Sequence, residues 1–167
     1  LSLIQFDDQY EVNYTDLNVK EVKNLNKNSY KPRGSTALYY AMARTIEELG
    51  QRLAALPEND RPQRVVIVVY SDGEENNSAL FGKQYTKGYV RELVNRQQNV
   101  YNWQFLFLGA DLDASVGSEI GISNSYTVDK NSSQENFSAV SRGLCSYKAG
   151  LSANIGYSVP SSSKKGS

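Results

Sequence analysis

The chain has 167 residues, enough for one domain with a real core, since about 150 residues bury roughly 68–70% of their unfolded surface. Its 18 basic and 18 acidic side chains cancel, so no global field draws it onto nucleic acid or an anionic membrane, and no apolar run approaches the roughly 20 residues that span a bilayer. With one cysteine there is no internal disulfide framework, and without histidine the common Zn²⁺ and Cu ligand sets are missing, so any metal must be held by oxygen: Mg²⁺ first, Mn²⁺ or Ca²⁺ as substitutes.

In chain order, Leu1–Phe6 reads as a buried strand, Asp7-Asp8-Gln9 as a turn, and Tyr10–Tyr14 as a half-buried strand alternating Tyr/Val/Tyr with Glu/Asn, so the two make a hairpin. Val19–Val22 is a short strand or a turn of helix. Ser29–Ser35 is a loop with Pro32 and Gly34. From about Ala37 to Leu56, Leu38, Met42, Thr45, Ile46, Leu49, Leu53 and Leu56 recur at three- and four-residue steps, one face of a helix that Pro57 stops. Arg64–Tyr70 is the clearest strand; its continuous Val65-Val66-Ile67-Val68-Val69 is the pattern of a strand covered on both faces.

A second helix is expected over about Thr86–Gln97, with Tyr89, Val90, Leu93 and Val94 inward. Trp103–Gly109 is a second buried strand, Leu112–Ile120 a short helix ended by Gly121, and Ser125–Val128 a short edge strand. Ser132 and Glu135 look like a capping box opening a last helix, Gln134–Leu151, whose apolar stripe is Phe137, Val140, Leu144, Tyr147 and Leu151. Residues 152–167 read as a Pro/Ser/Lys tail outside a domain of residues 1–151. Strands alternating with helices predict an α/β fold: a Rossmann-like, doubly wound, mostly parallel sheet with one antiparallel edge strand and helices on both faces.

In such a sheet, ligands sit at the carboxyl ends of the strands. Gly34-Ser35-Thr36-Ala37-Leu38 and Tyr70-Ser71-Asp72-Gly73-Glu74-Glu75-Asn76 are the segments expected there. Thr36 offers a hydroxyl at a helix start and Asp72 a carboxylate at a strand tip, which suits a hard cation such as Mg²⁺ that takes few protein carboxylates and keeps several waters. The plainer readings are open: Thr36 as an N-cap, Asp72-Gly73 as a turn, Glu74 and Glu75 as solvated loop charges. Arg33, Ser35, Tyr40, Glu74 and Glu75 form the candidate partner-binding rim, with Arg33 either steering an acidic partner or simply solvated. Among the 12 tyrosines, Tyr10, Tyr14, Tyr30, Tyr39 and Tyr40 read as packing or as an interface rim. Cys145 reads as a small apolar residue, with no histidine to activate it.

The stretches RGSTALYYAMARTIEELG and VVIVVYSDGEENNS resemble, in order and spacing, the G-G-T-A-L-x-D-A-I segment and the T-D-G strand end of von Willebrand factor type A (vWA) domains. NWQFLFLGADLDA resembles the fifth strand of small bacterial and phage members, and SLIQFDD the second; the match covers roughly Leu1 to Leu151. The resemblance implies a metal-ion-dependent adhesion site in which Thr36 ligates Mg²⁺ directly, Asp72 mainly through water, and a protein partner completes the shell with its own carboxylate. Tyr40 stands where small bacterial members often carry aspartate, and Ser71 replaces the threonine of T-D-G. The family's D-x-S-x-S loop occurs nowhere in the chain; Asp111-Leu112-Asp113-Ala114-Ser115 imitates it after a different strand.

The strand bearing that loop would lie between Leu1–Phe6 and Arg64–Tyr70, whose facing edges are otherwise left without a neighbour. Ala153–Val159, or a strand donated by a partner, are candidate occupants. The resulting expectation is a non-enzymatic protein-binding module, cytoplasmic in a bacterial or phage-infected cell or part of a virion. The alternatives are an assembly protein with a degenerate, metal-free site, or an Mg²⁺-dependent phosphotransferase or nuclease using Asp72, Glu74 and Glu75. Against the last stands the expectation of no second acidic cluster at another strand end.

Overall fold

The computed structural model describes residues 1–23, 34–72, 74–111 and 113–158. The chain is α/β and divides into two compact units, Leu1–Ala54 with Gly73–Val90, and Ala55–Asp72 with Arg91–Ser167.

In the first unit, β1 (Leu3–Phe6) and β2 (Tyr10–Tyr14) pair antiparallel as expected, with Phe6 opposite Tyr10 and a register shift between Leu3 and Ile4. The Asp7 carboxylate accepts the Gln9 amide at 2.7 Å and closes the turn. Val19–Glu21 is a single 3₁₀ turn, capped by the Asn18 side chain. Helix α1 (Leu38–Ala55) matches the expected span to one residue at each end and buries Leu38, Ala41, Met42, Ala43 and Ile46. The hairpin is tied to it by a hydrogen bond between the Tyr10 and Thr45 hydroxyls at 3.1 Å and by the Arg44 guanidinium, 4.2 Å above the Tyr10 ring. Burial raises the Tyr10 phenol above its ordinary range.

The second unit holds a parallel sheet, β3 (Val66–Ser71), β4 (Gln104–Ala110) and β5 (Ser125–Val128), in that spatial order. Register runs Tyr70↔Leu108↔Tyr126 and Ser71↔Gly109↔Thr127, so β4 and β5 run one residue past the end of β3 and finish together at the Ala110–Val128 pair. Helix α2 (Lys87–Tyr101) leads into β4, short α3 (Ser115–Glu119) into β5, and α4 (Ser133–Lys148) follows. Side chains alternate across the sheet. Leu106, Leu108 and Ala110 face a core with Val128, Ala139 and Val140, which puts α4 on that face. Phe107 points the other way, and there the α3 backbone at Gly117 comes so close that an added Cβ would lie 2.7 Å from the Phe107 Cβ. Helices therefore cover both faces of this sheet.

Two expectations change here. β4 is buried from Phe105 to Ala110, but β3 is buried only at Val69 and Ser71, with Val66, Ile67, Val68 and Tyr70 half-buried. The reason is topological: β4 has a strand on each side, whereas β3 is a sheet edge among the described residues. The supposed tail is in part core. Ile155 and Tyr157 are 1% and 7% exposed and pack in the α4 cluster. The Tyr157 hydroxyl donates to Asn136 Oδ1 at 2.9 Å, and Gly143 of α4 lets the Gly156 carbonyl approach where a Cβ would collide. Ala153–Ser158 forms no strand; residues 159–167 lie outside the described part. No helix among the described residues is long and apolar enough to cross a membrane.

Ser132 is the N-cap of α4 but makes no side-chain capping bond, so the expected capping box is not formed. A 3₁₀ turn, Lys130–Ser132, precedes the helix and takes its cap from Asp129 instead. At the other end of α4, Arg64 donates to the Lys148 carbonyl at 2.8 Å and also to that of Tyr147, the side-chain capping that a helix C-terminus favours.

Candidate functional site at the strand tips

Three parallel strands that end within one residue of each other present their next residues at one end of the sheet. β3 is followed by Asp72, β4 by Asp111 and β5 by Asp129. The Asp111 amide donates to the Val128 carbonyl at 2.9 Å, which continues the ladder one residue past β4 and sets Asp111 beside Asp129. All three residues are exposed. Each of the three strands is thus followed by a single aspartate. Asp72 stands one register step short of Asp111 and Asp129 and, by alternation, on the other face of the sheet, and among the described residues no group of three or more acidic, histidine or cysteine side chains is disposed to hold a metal ion.

Lys130, next to Asp129, pairs with Asp111. Its ammonium lies 3.0 Å from Asp111 Oδ2, and its amide donates to Asp111 Oδ1 at 3.5 Å. Those bonds hold the Asp111 carboxyl below the ordinary carboxylate range and push the Lys130 ammonium above its own. Asp72 and Asp129 act on the same ammonium through their charge. The turn that carries Lys130 is pinned from several sides. Asn136, 2% exposed, donates to the Asp129 carbonyl at 2.9 Å; the Asp129 carboxylate accepts the Asn131 amide at 2.7 Å; and Ser133 Oγ donates to the Lys130 carbonyl at 2.8 Å. Asp111 itself sits at φ 59°, the left-handed region that aspartate tolerates better than most residues.

In the first unit, the segment after Asp72 is bonded to the start of α1. The Thr36 carbonyl accepts the Asn76 and Asn77 amides at 3.0 and 3.2 Å, and the Thr36 amide donates to Asn76 Oδ1 at 2.9 Å. Glu75, expected to be a solvated charge, is half-buried and fully engaged. Its Oε2 accepts the Tyr39 amide at 2.8 Å and Ser78 Oγ at 2.6 Å; its Oε1 accepts the Asn77 and Ser78 amides at 3.0 and 2.7 Å. The Tyr40 amide donates to Ser78 Oγ at 2.9 Å. The Tyr39 and Tyr40 amides in the first turn of α1 are therefore capped by Glu75 and Ser78, the role once open to Thr36.

Of the other rim candidates, Ser35 is half-buried and Glu74 exposed, and Arg33 lies outside the described residues. Tyr40 is packed: its ring stacks on Phe81 at 4.0 Å, meets Tyr85 edge-on at 4.9 Å, and its hydroxyl accepts from Arg44 at 2.7 Å. Cys145 is exposed.

The sequence reading missed Asp111, Asp129 and Lys130 as a group, and Glu75 as a cap. The signal was present: Y-S-D, G-A-D and T-V-D each close an apolar strand. As a donor set, an exposed carboxylate at a strand tip suits a hydrated Mg²⁺, which needs oxygen and few protein ligands. Comparison with known protein families, curated proteins and solved structures returns no match.

Proposed function

We propose that the chain is a vWA-type binding module that engages a protein partner through a divalent cation, Mg²⁺ by choice, with Thr36 and Asp72 as its own ligands and a partner carboxylate completing the shell. The observation that supports this most is the place of Asp72, exposed at the carboxyl tip of a parallel strand, where open α/β sheets bind their ligands. One further point favours it: Thr36 is relieved of capping duty by Glu75 and Ser78. Tyr40 and Glu75 then serve as supports beneath the rim rather than as contacts, and Ser35 and Glu74 are left as candidates to meet a partner.

The edge of β3 belongs to the same reading. Sheet edges normally carry a lysine, a proline or a bulge that discourages further pairing. Val65–Tyr70 has none of these, and its register with β4 is unbroken. A further strand pairs there in this proposal, the one that bears the D-x-S-x-S loop in the family the sequence resembles.

The test is thermal stability against Mg²⁺ or Mn²⁺. Saturation at 100 times the dissociation constant adds about 2.7 kcal/mol, so the melting midpoint rises, and Thr36→Val and Asp72→Asn each remove the rise. If the ion leaves the midpoint where it was in a protein that includes the D-x-S-x-S strand, the reading is wrong. A second reading, an assembly protein with a metal-free site, draws on the Lys130 ammonium, which already brings positive charge to the rim.

A further inference from the structure

Residues 152–158 form no helix or strand, yet two of their side chains are core: Ile155 and Tyr157 are buried, while Asn154, Gly156 and Ser158 between and beside them are exposed. A strap of this kind is held by its anchors rather than by a ladder. Its backbone crosses α4 at Gly143, where a Cβ would collide with the Gly156 carbonyl. Glycine inside a helix weakens it, and here the bare backbone makes the seat. Asn124 Nδ2 donates to the Ile155 carbonyl at 3.3 Å, and the Tyr157 ring lies 5.0 Å from that of Tyr126 on β5. Segments with few anchors and no ladder of their own are the first to open in a folded domain.

The remaining anchor is polar and two-sided. Asn136, 2% exposed, donates from Nδ2 to the Asp129 carbonyl at 2.9 Å and accepts the Tyr157 hydroxyl on Oδ1 at 2.9 Å. A carbonyl can only accept, so the NH₂ group must face Asp129, the amide oxygen must face Tyr157, and the Tyr157 hydroxyl must donate. One buried amide is therefore oriented from both ends. Without the Tyr157 hydroxyl its oxygen is left unpaired in a buried site, and the amide recovers a partner only by moving away from Asp129.

We propose that the 152–158 strap is a latch on the turn after β5: docked, it holds the Lys130-bearing turn in place through Asn136, and lifted, it lets the turn go. The Asp129 carbonyl that Asn136 grips also accepts the Ser132 amide at 3.1 Å, and the Asp129 carboxylate accepts the Asn131 amide at 2.7 Å, so this residue is the hub of the turn. The turn in turn carries the Lys130 ammonium to within 3.0 Å of Asp111. A loosened turn withdraws that ammonium, and the tip of β4 then displays a bare carboxylate where it displayed an ion pair. The state of the strap thus sets the charge shown at this end of the sheet. By linkage the reverse holds: a partner that grips the turn in its closed form tightens the strap, and one that displaces the strap frees Lys130. The inference does not rest on the cation reading of Asp72.

The experiment is amide hydrogen exchange with Asp111 carboxyl titration, both by NMR on the full chain, in wild type, Tyr157→Phe, Asn136→Ala and the Tyr157→Phe/Asn136→Ala pair. Tyr157→Phe keeps the buried ring and removes only the hydroxyl, so it carries the test even where Asn136→Ala folds poorly. The proposal expects Tyr157→Phe to speed exchange of the Asn131 and Ser132 amides about tenfold. The Gln104 amide, bonded to the Val65 carbonyl across the sheet, stays as it was, and the Asp111 carboxyl titrates nearer its ordinary range. In Asn136→Ala the turn is already free, so adding Tyr157→Phe changes it no further. Unchanged exchange at Asn131 and Ser132 in Tyr157→Phe overturns the latch. A rise shared equally by Gln104 overturns it too, since that is general destabilisation, as do additive effects in the paired variant. An Asp111 carboxyl that titrates as in wild type while the turn opens overturns the link to the displayed charge.

Discussion

Replacing Glu75 tests whether the loop after β3 is a free acidic turn or part of the fold. The carboxylate accepts four hydrogen bonds, from the Tyr39, Asn77 and Ser78 amides and from Ser78 Oγ, at 2.6 to 3.0 Å. A hydrogen bond to a charged group contributes about 1.5–3 kcal/mol, and an anion at a helix N-terminus about 0.3–1 kcal/mol. Bonds to one side chain are not additive and Glu75 is only half-buried, so the expected cost of Glu75→Ala is about 2–4 kcal/mol rather than the full sum. At about 2–4 °C per kcal/mol for a chain of this size, the melting midpoint falls by roughly 4–16 °C.

Glu75→Gln keeps the shape but turns an NH₂ group toward N–H donors whichever way the amide is flipped, so it loses part of the same stability. Hydrogen exchange gives the local readout: the Tyr39 amide loses protection in both variants. A Glu75→Ala protein melting within 1 °C of wild type, with that amide still protected, would refute the capping argument.

Two further outcomes follow from the second unit. Gly143→Ala drives a methyl group into the Gly156 carbonyl, so the Ile155–Tyr157 segment must lift; a loss of about 1–3 kcal/mol is expected, with faster amide exchange at Tyr157, and unchanged exchange there would contradict the close approach. The Asp111–Lys130 pair gives a signed pH dependence. Because the Asp111 carboxyl is held below its ordinary value, near 3.9, its contribution is present in full above that value and is lost as pH falls through the folded-state pKa. Because the Lys130 ammonium is raised above its ordinary value, near 10.4, its contribution is present below that value and lost as pH rises through the folded-state pKa. Carboxyl carbon shifts followed by NMR should show Asp111 titrating low in wild type and moving up in Lys130→Met; equal titration in the two proteins would show that the ammonium does not govern the carboxylate.

Elements with long apolar periods were legible. The three- and four-residue recurrence from Leu38 to Leu53 gives α1 almost to the residue, and the runs at Val65–Val69 and Phe105–Leu108 give the two longest parallel strands. Their composition reports a buried neighbourhood, however, and not how many strands supply it; hence Val65–Val69 reads as covered on both faces while most of β3, at a sheet edge among the described residues, is half-buried. Short contributions were harder. Ile155 and Tyr157 are two apolar side chains in a polar stretch, and only their meeting with Gly143 and Asn136 makes them core.

Acidic side chains were the least legible, because a carboxylate in a loop looks alike whether it is solvated, caps a helix or pairs with a lysine. Glu75 caps since Tyr39, folded against it, has an amide to satisfy. Asp111 and Asp129 are neighbours since β4 and β5 end in register, a fact no local pattern carries. The pairing of Thr36 with Asp72 rests on motif order and on the resemblance that order supports.

The central claim is that the Asp72 strand tip takes a divalent cation, and Mn²⁺-induced broadening of amide signals measures it most directly. The account predicts that substoichiometric Mn²⁺ first broadens Ser71 and Asp72, then Asp111 and Lys130 on the adjoining tips, and that Asp72→Asn erases the pattern. Broadening centred on other acidic residues, such as Glu58 and Asp60, or a pattern that persists in Asp72→Asn, would contradict it.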